Sequence, residues 1–91
     1  MLYMVIEYFK HADPVPVYRR FRERGRMAPA GLEYVSSWVD TAFARCYQLM
    51  RTDEPALLRE WMERWSDLID FEVVEVVTSA EAAEAIAPRL T

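Results

Sequence analysis

The stretch LEYVSSWVDTAFARCYQLMRT, residues 32–52, decides how this chain folds. Two segments rich in β-branched, aromatic and other apolar residues, 32–39 and 43–50, flank a short connecting segment at 40–42. This pattern predicts two antiparallel strands joined by a hairpin loop. The acid–acid–proline sequence at 53–55 then indicates a helix start, because proline in the first turn of a helix sacrifices no hydrogen bond. We therefore expect a helix directly after the hairpin.

A strand and a helix are predicted before the hairpin. Leu2–Phe9 is a nearly continuous apolar and aromatic run, which is typical of a central strand buried on both faces. Asp13 is a good N-terminal cap, Pro14 fits the first helical position, and Gly25 is a favourable C-terminal stop. A first helix between these signals connects the opening strand to the hairpin.

The segments after the hairpin complete a β-α-β-β-α-β order. Apolar residues recur at helical spacing from Leu57 to Ile69, and Phe71–Val77 is strand-like. Thr78 and Glu81 form a capping box for a short terminal helix. We therefore predict an α+β, ferredoxin-like fold: an antiparallel sheet with strand order 4-1-3-2, both helices on one face, and a short C-terminal helix.

Length and composition favour one small domain that associates with a second copy. The chain has 91 residues, and a chain of this size buries only about 60–65% of its unfolded surface. Three Trp, five Tyr, four Phe and five Met are more apolar bulk than a small monomer hides. One sheet face is left bare in this topology, and packing two such faces together would close a barrel. We expect a single domain, 1–91, that forms a homodimer through the sheet face.

Charge and cysteine content argue against several classes of protein. The net charge of −4 offers no attraction to nucleic acid or to an anionic membrane. No apolar run approaches the roughly 18 residues of a membrane span, and the N-terminus enters a strand pattern rather than a signal peptide. A single cysteine, Cys46, cannot form a disulfide within one chain. These features favour a cytoplasmic protein without nucleic-acid or membrane partners.

Nearly the whole chain also resembles a known family. The segments that carry the resemblance are MLYMVIEYFK (1–10), RGRMAPAGLEYVSSWVD (24–40), RCYQLMRTDEPALLREWMERWSDLIDFEVVEV (45–76) and TSAEAA (78–83). They resemble a family of small bacterial proteins known as a domain of unknown function, similar in fold to the dimeric α/β-barrel proteins. The resemblance implies a ferredoxin-like fold and a homodimeric barrel. It implies no single activity, because that wider group includes monooxygenases, haem-degrading enzymes, isomerases, peroxidase relatives and ligand-sensing domains.

Two activities of that wider group lack their usual residues here. Cofactor-independent monooxygenases and haem-degrading members commonly use an Asn with a Trp, whereas this chain contains no Asn. Haem-binding members need an axial His in the barrel, and His11, the only histidine, falls in a predicted loop. A metal site needs three or more ligands. We therefore expect no cofactor and no metal.

Strand alternation groups the candidate ligand-binding residues on one sheet face. The candidates are Glu7, Tyr34, Trp38 and Gln48. We predict that they line a mostly apolar pocket in the lumen of the dimeric barrel. A slip of one residue reverses the faces of a strand, so a structure with Glu7 and Gln48 beneath the helices would contradict this placement.

Glu7 is the one candidate catalytic residue. A carboxylate on a central strand is partly desolvated, so its pKa rises and it can act as a base or bind a polar ligand group. The alternative is that Glu7 holds an interface together through an ion pair or hydrogen bond. Cys46 lies in mid-strand and is interpreted as a buried, unreactive thiol. Trp61 and Trp65 fit the apolar stripe of the core.

Three functions stay open on the sequence. The first is small-molecule binding in the barrel lumen. The second is a cofactor-independent monooxygenase or isomerase acting on an aromatic or polyketide-like substrate, with Glu7 as base and Trp38 or Tyr34 positioning the ring. The third is a structural or interaction domain whose barrel is filled by its own side chains. The arginine-rich segment 19–26 is interpreted as a solvated helix face that could alternatively bind an anion.

Overall fold

Four antiparallel strands form one sheet in the computed structural model, which describes all residues from 1 to 91. The strands are Leu2–Phe9 (β1), Glu33–Val39 (β2), Arg45–Arg51 (β3) and Ile69–Val76 (β4). Their order across the sheet is β2-β3-β1-β4, so the predicted ferredoxin-like α+β fold is confirmed. The two central strands, β1 and β3, have antiparallel partners on both sides. Any side chain on these two strands is therefore held in a fixed register.

One helix follows each central strand: Val15–Arg24 (α1) after β1, and Ala56–Glu63 (α2) after β3. The Asp13 carboxylate accepts a hydrogen bond from the Val15 N–H at 3.0 Å, as expected of the predicted cap. The helix stops at Gly25, where φ is +69° and the N–H bonds to the Phe21 carbonyl at 2.7 Å. Glycine adopts this left-handed conformation without steric cost, so the chain leaves the helical path at this position.

The apolar stripe from Leu57 to Ile69 does not form one continuous helix. After Glu63 the backbone tightens into turns, in which the Trp65 N–H bonds to the Met62 carbonyl at 3.0 Å. Trp65 remains buried, while Ile69 is already the first residue of β4. Helical periodicity predicted the inward-facing residues but not the helix end, because three-residue turns keep the same side chains against the sheet.

The core lies between the two helices and one face of the sheet, called here the covered face. Val5 and Met50 have no exposed surface, and Trp61 is 2% exposed. The buried apolar residues form one cluster: Tyr3, Val5, Phe9, Val17, Leu32, Cys46, Met50, Leu58, Trp61, Trp65 and Ile69. Burying one large apolar side chain contributes about 1.5–3 kcal/mol, so this layer is the principal apolar contribution to folding.

A β-bulge at Val35 divides β2 into two parts with opposite side-chain phase. Tyr34 lies opposite Met50, on the covered face, whereas Trp38 lies opposite Tyr47, on the other face. The register shift between these pairs leaves one residue of β2 without a partner. The prediction that Tyr34 and Trp38 share a face is therefore wrong, because the alternation is reset at the bulge.

The opposite side of the sheet, called here the open face, has no helix over it and carries both apolar and charged side chains; the Tyr8 hydroxyl donates to Glu72 there at 2.9 Å. Its apolar residues are Leu2, Met4, Ile6, Tyr8, Trp38, Tyr47, Leu49, Val74 and Val76. Trp38 is 56% and Val74 43% exposed in the isolated chain. These two exposed residues lie on the edge strands β2 and β4, while the apolar residues between them are half-buried.

The last residues, 77–91, form a C-terminal arm that has no buried residue. It consists of Ser79–Ile86 (α3) and a short turn at Ala87–Leu90. The predicted capping box is present, since the Thr78 hydroxyl oxygen accepts a bond from the Glu81 N–H at 3.1 Å. The molecule measures 52 × 31 × 17 Å, a thin slab. The arm therefore has a well-formed helix start but no buried packing within its own chain.

Replacing Trp61 by Phe is expected to lower the free energy of unfolding by about 2–3 kcal/mol, because it leaves a void in the core and removes the indole hydrogen bond. Truncation of Val15 to Ala, at a position that is 54% exposed on α1 and away from the sheet, should cost about 0.5 kcal/mol or less. Urea unfolding followed by circular dichroism measures both. Equal losses for the two variants would contradict the assignment of Trp61 to the core.

Candidate functional site

A cavity of about 170 Å³ opens between the helices and the covered face of the sheet. Its apolar walls include Phe9, Val17, Phe21, Val39, Trp61 and Trp65. Three of its polar side chains, Glu7, Gln48 and Arg26, are linked to one another. A concave, mostly apolar space with a few polar groups is the usual form of a small-molecule site.

Glu7, Gln48 and Arg26 form a continuous chain of hydrogen bonds. The Gln48 amide nitrogen donates to the Glu7 carboxylate, and the Arg26 Nε donates to the Gln48 amide oxygen. Glu7 is 5% and Gln48 4% exposed, so both lie inside the protein. The pairing of β1 with β3 sets Glu7 opposite Cys46, which makes Gln48 its diagonal neighbour on the same face. Both ends of the Gln48 amide are thus used.

Arg26 reaches the cavity because its backbone is anchored to the α2 segment. The indole N–H groups of Trp61 and Trp65 both donate to the Arg26 carbonyl, at 2.9 and 3.0 Å. Arg64 donates to the next carbonyl, that of Met27, at 2.6 Å. Met27 has a φ of +60°, a conformation that costs a non-glycine residue about 1–2 kcal/mol. Three side chains therefore hold an irregular backbone in place.

The Arg26 guanidinium is also stacked on aromatic rings. Its central carbon lies 3.7 Å from the centre of the Tyr34 ring and 5.2 Å from that of Phe21. The Tyr34 hydroxyl is hydrogen-bonded to Ser37 at 2.8 Å, which restrains the ring. Cation–π contacts of this kind contribute about 0.5–2 kcal/mol each. The guanidinium plane is therefore fixed relative to the cavity.

Burial raises the pKa of Glu7 to about 7, against the opposing effects of the Gln48 hydrogen bond and the positive charge of Arg26. The direction is the one the sequence predicts for a carboxyl group on a central strand. At neutral pH both the protonated and the ionised forms are populated. A group in this condition can accept or release a proton near physiological pH.

Two other candidate residues, Cys46 and His11, lack the environment of a reactive group. Burial, followed by the nearby Glu7 carboxylate, raises the pKa of the Cys46 thiol to about 12, so the thiol stays protonated, as expected of an unreactive cysteine. His11 is exposed in the turn after β1.

No cluster of three or more His, Cys, Asp or Glu side chains has the arrangement of a metal site. None of the helices is both long and apolar enough to cross a bilayer.

The structure separates the four predicted site residues. Glu7 and Gln48 lie beneath the helices, so their placement in a lumen between two sheets is wrong. The physical reason is the phase of β1 and β3, in which these residues alternate with side chains of the open face. Trp38 lies on the open face and cannot contact a ligand held by Glu7. Tyr34 meets the site only through its contact with Arg26.

Arg26 is the site residue that sequence reasoning missed. Its position in the arginine-rich segment 19–26 suggests a solvated helix face, whereas in the structure it lies beyond the end of α1 at Arg24. The signal that distinguishes it is Gly25, because a residue beyond a glycine stop no longer follows the helix face. Arg20 illustrates the contrast, since it lies on α1 and pairs with Asp67 at 2.6 Å.

A four-stranded antiparallel sheet in the order β2-β3-β1-β4, covered on one face by two helices, defines a ferredoxin-like α+β domain, here with a cavity between its layers. The chain belongs to the family described as Domain of unknown function (DUF3303), whose model matches residues 1–90. No curated protein and no solved structure matches the chain. Since this fold serves many activities, function has to be argued from the cavity itself.

Replacing Glu7 by Gln is expected to remove a pH-dependent part of the stability. The folded-state pKa of about 7 lies above the ordinary value of 4.5. The protonated form therefore stabilises the fold fully below pH 4.5, and this contribution is lost as pH rises through 7. The loss amounts to about 3 kcal/mol by pH 8.5. Urea unfolding at several pH values should show a steeper fall for the natural protein than for Glu7→Gln.

Glu63→Gln is the matched control for this measurement, because Glu63 is exposed on α2 and loses the same charge. Its pH dependence should follow that of the natural protein. The same slope in Glu7→Gln as in the natural protein would contradict the assignment of the titration to Glu7.

Proposed function

We propose that this protein binds a small molecule in the cavity between its helices and the covered face of the sheet. The observation that carries this proposal is the Glu7–Gln48–Arg26 chain at the wall of an otherwise apolar cavity. Burying polar and charged groups costs free energy, and well-packed apolar residues usually serve stability as well or better. A costly polar group beside an open space is best explained by a ligand that uses it.

The size of the cavity favours a ligand with a single ring. Its volume is about 170 Å³, whereas a cavity of about 150 Å³ holds one benzene molecule. Phe9, Trp61 and Trp65 provide aromatic walls on which a planar ring can pack. The proposed ligand is therefore a compact aromatic or similarly flat molecule with at least one polar group.

Replacing Val39, which lines the cavity, by Phe tests the binding site directly. We expect single-ring aromatic compounds, such as phenol, benzamide and benzoate, to raise the melting temperature of the natural protein. Val39→Phe should weaken binding at least tenfold, because the larger side chain occupies part of the cavity. Differential scanning fluorimetry and isothermal titration calorimetry provide the two measurements.

Val35→Phe is the matched control, since Val35 lies on the same strand, at the bulge, and does not line the cavity. It should bind like the natural protein. Circular dichroism of both variants confirms that they fold. If no single-ring compound binds the natural protein, or if Val35→Phe loses binding as Val39→Phe does, the proposed site is wrong.

A second candidate function is a cofactor-independent enzyme that uses Glu7 as a general base. It is favoured by one observation, the rise in the pKa of Glu7 to about 7 within a cavity. Trp38 has no place in this reaction, since it lies on the open face, so the aromatic or polyketide-like substrate would pack on Trp61 and Trp65 instead. Compounds that bind without being converted, in the natural protein as in Glu7→Gln, would favour the binding protein over the enzyme.

We also propose that two copies of the chain associate through their open faces. Two features of the single chain support this assembly. The open face carries apolar side chains on all four strands; Trp38 and Val74 are exposed, and those of β1 and β3 are half-buried. The eight-residue helix α3 is shorter than the roughly 12–15 residues that an isolated helix needs in water, so a neighbouring chain would stabilise the C-terminal arm.

Replacing Val74 by Arg is expected to convert the dimer into a monomer. The added charge would lie within the proposed apolar interface, beside Met4 of the central strand β1, where burying it is costly. Val15→Arg is the matched control, because Val15 is similarly exposed, at 54% against 43% for Val74, but lies on α1. Size-exclusion chromatography with light scattering gives the mass. A monomeric natural protein, or a dimeric Val74→Arg, would contradict the assembly.

A further inference from the structure

The Arg26 guanidinium is held in place but is not neutralised. Its Nε bonds to Gln48, whereas its two terminal nitrogens have no hydrogen-bond acceptor in the chain. Arg26 also takes part in none of the ion pairs of the protein. By contrast, Arg20 uses both terminal nitrogens on the Asp67 carboxylate, at 2.8 and 2.6 Å. Arg26 therefore presents up to four free N–H groups at the cavity.

The charge balance of the cavity points in the same direction. Glu7 is the only acidic side chain among the lining residues, and Gln48 separates it from Arg26. When Glu7 is protonated, the Arg26 guanidinium gives the cavity a net positive charge beside its apolar walls. A guanidinium fixed by Tyr34 and Phe21 has already lost the freedom that it would otherwise lose on binding. The flat N–H fork of arginine matches the two oxygens of a carboxylate.

We infer that the ligand of this cavity is a small aromatic carboxylate, whose ring packs on Trp61 and Trp65 and whose carboxylate is bound by the free N–H groups of Arg26. This inference rests on the proposed binding function and names the chemical class of its ligand. It assigns Arg26 to the recognition of charge and the apolar walls to the recognition of shape.

Binding of an anion beside Glu7 is coupled to the protonation of Glu7. A negative ligand disfavours the ionised form of Glu7, so the complex forms most readily when Glu7 is protonated.

The other titratable groups at the cavity are Tyr18, Arg26 and Cys46. Burial raises the pKa of both Tyr18 and Cys46, so both stay neutral between pH 6 and 8. The nearby residues Trp61 on α2, Trp65 in the turn after α2 and Phe71 on β4 do not titrate. Glu7 alone is therefore expected to set the pH dependence in this range.

Isothermal titration with matched pairs of probes tests the inference. Benzoate and phenylacetate are the anions, benzamide and phenylacetamide are neutral compounds of nearly the same shape, and benzylamine is the cation. We expect each carboxylate to bind at least tenfold more tightly than its amide at pH 6, and benzylamine to bind most weakly. Affinity for the carboxylates should fall by up to tenfold per pH unit above pH 7. This fall should disappear in Glu7→Gln.

Variants of two neighbouring arginines separate a specific contact from a general effect of charge. Arg26→Gln should bind a carboxylate and its amide equally. Arg24→Gln loses the same charge on the exposed end of α1 and should keep the full preference. Arg26→Lys keeps the charge without the planar fork and should retain part of the preference. The ratio of carboxylate affinity to amide affinity, measured within one variant, is an internal control. Arg26→Lys provides the comparison if Arg26→Gln does not fold.

The possible outcomes distinguish this inference from the proposed function. Equal binding of carboxylates and amides by the natural protein, or tighter binding of benzylamine, overturns the anionic ligand while the binding cavity stands. A preference that survives in Arg26→Gln overturns the role of Arg26. If none of the five probes binds, both the inference and the proposed single-ring ligand are wrong.

Discussion

The structure depends on a single backbone carbonyl, that of Arg26, which accepts hydrogen bonds from two tryptophans at once. Trp61 lies on α2 and Trp65 in the turn that follows, and both residues are buried. A buried indole without an acceptor is unfavourable, so the two tryptophans and the connection after α1 must be positioned together. This one contact ties the helix layer to the loop that closes the cavity, and it directs the Arg26 side chain inward.

In the connection after α1, a glycine occupies one of the positions where φ is positive. Gly31 has a φ of +93°, and a Cβ built there would lie 2.9 Å from a terminal carbon of Leu57. The positive φ is the feature that favours glycine here, since the Leu57 side chain could shift to relieve the close contact. Met27 adopts a positive φ without that advantage, and the bond from Arg64 to its carbonyl offsets part of the cost. The loop is thus held by side chains of the α2 segment rather than by a regular hydrogen-bonding pattern.

Much of the architecture could be predicted from the sequence, because its signals are local. The boundaries of β1, the proline-containing helix starts and the capping box at Thr78 depend on residues within a few positions of one another. The strand order then follows from the β-α-β-β-α-β sequence of elements. The predicted direction of the change in the pKa of Glu7 is also confirmed, and its largest cause is the burial of Glu7 beneath the helices.

The site could not be predicted fully, because it depends on relations between distant segments. Which face the helices cover is decided by packing of Val5 and Met50 against Trp61, and strand alternation alone leaves that choice open. The bulge at Val35 carries no sequence signal, such as a glycine, from which it could be predicted. Arg26 became part of the site only through its bond to Gln48, 22 residues away along the chain.

The bulge determines which residues in the second part of β2 face the cavity. After it, Ser37 and Val39 line the cavity, while Trp38 between them belongs to the opposite surface. Loss of one residue at the bulge would leave these assignments unchanged, because Tyr34 and Ser36 already lie on opposite faces and would then alternate regularly. β2 can therefore lose its unpaired residue without moving Trp38 into the cavity. Two neighbouring residues, 37 and 38, can each be changed to suit one surface without altering the other.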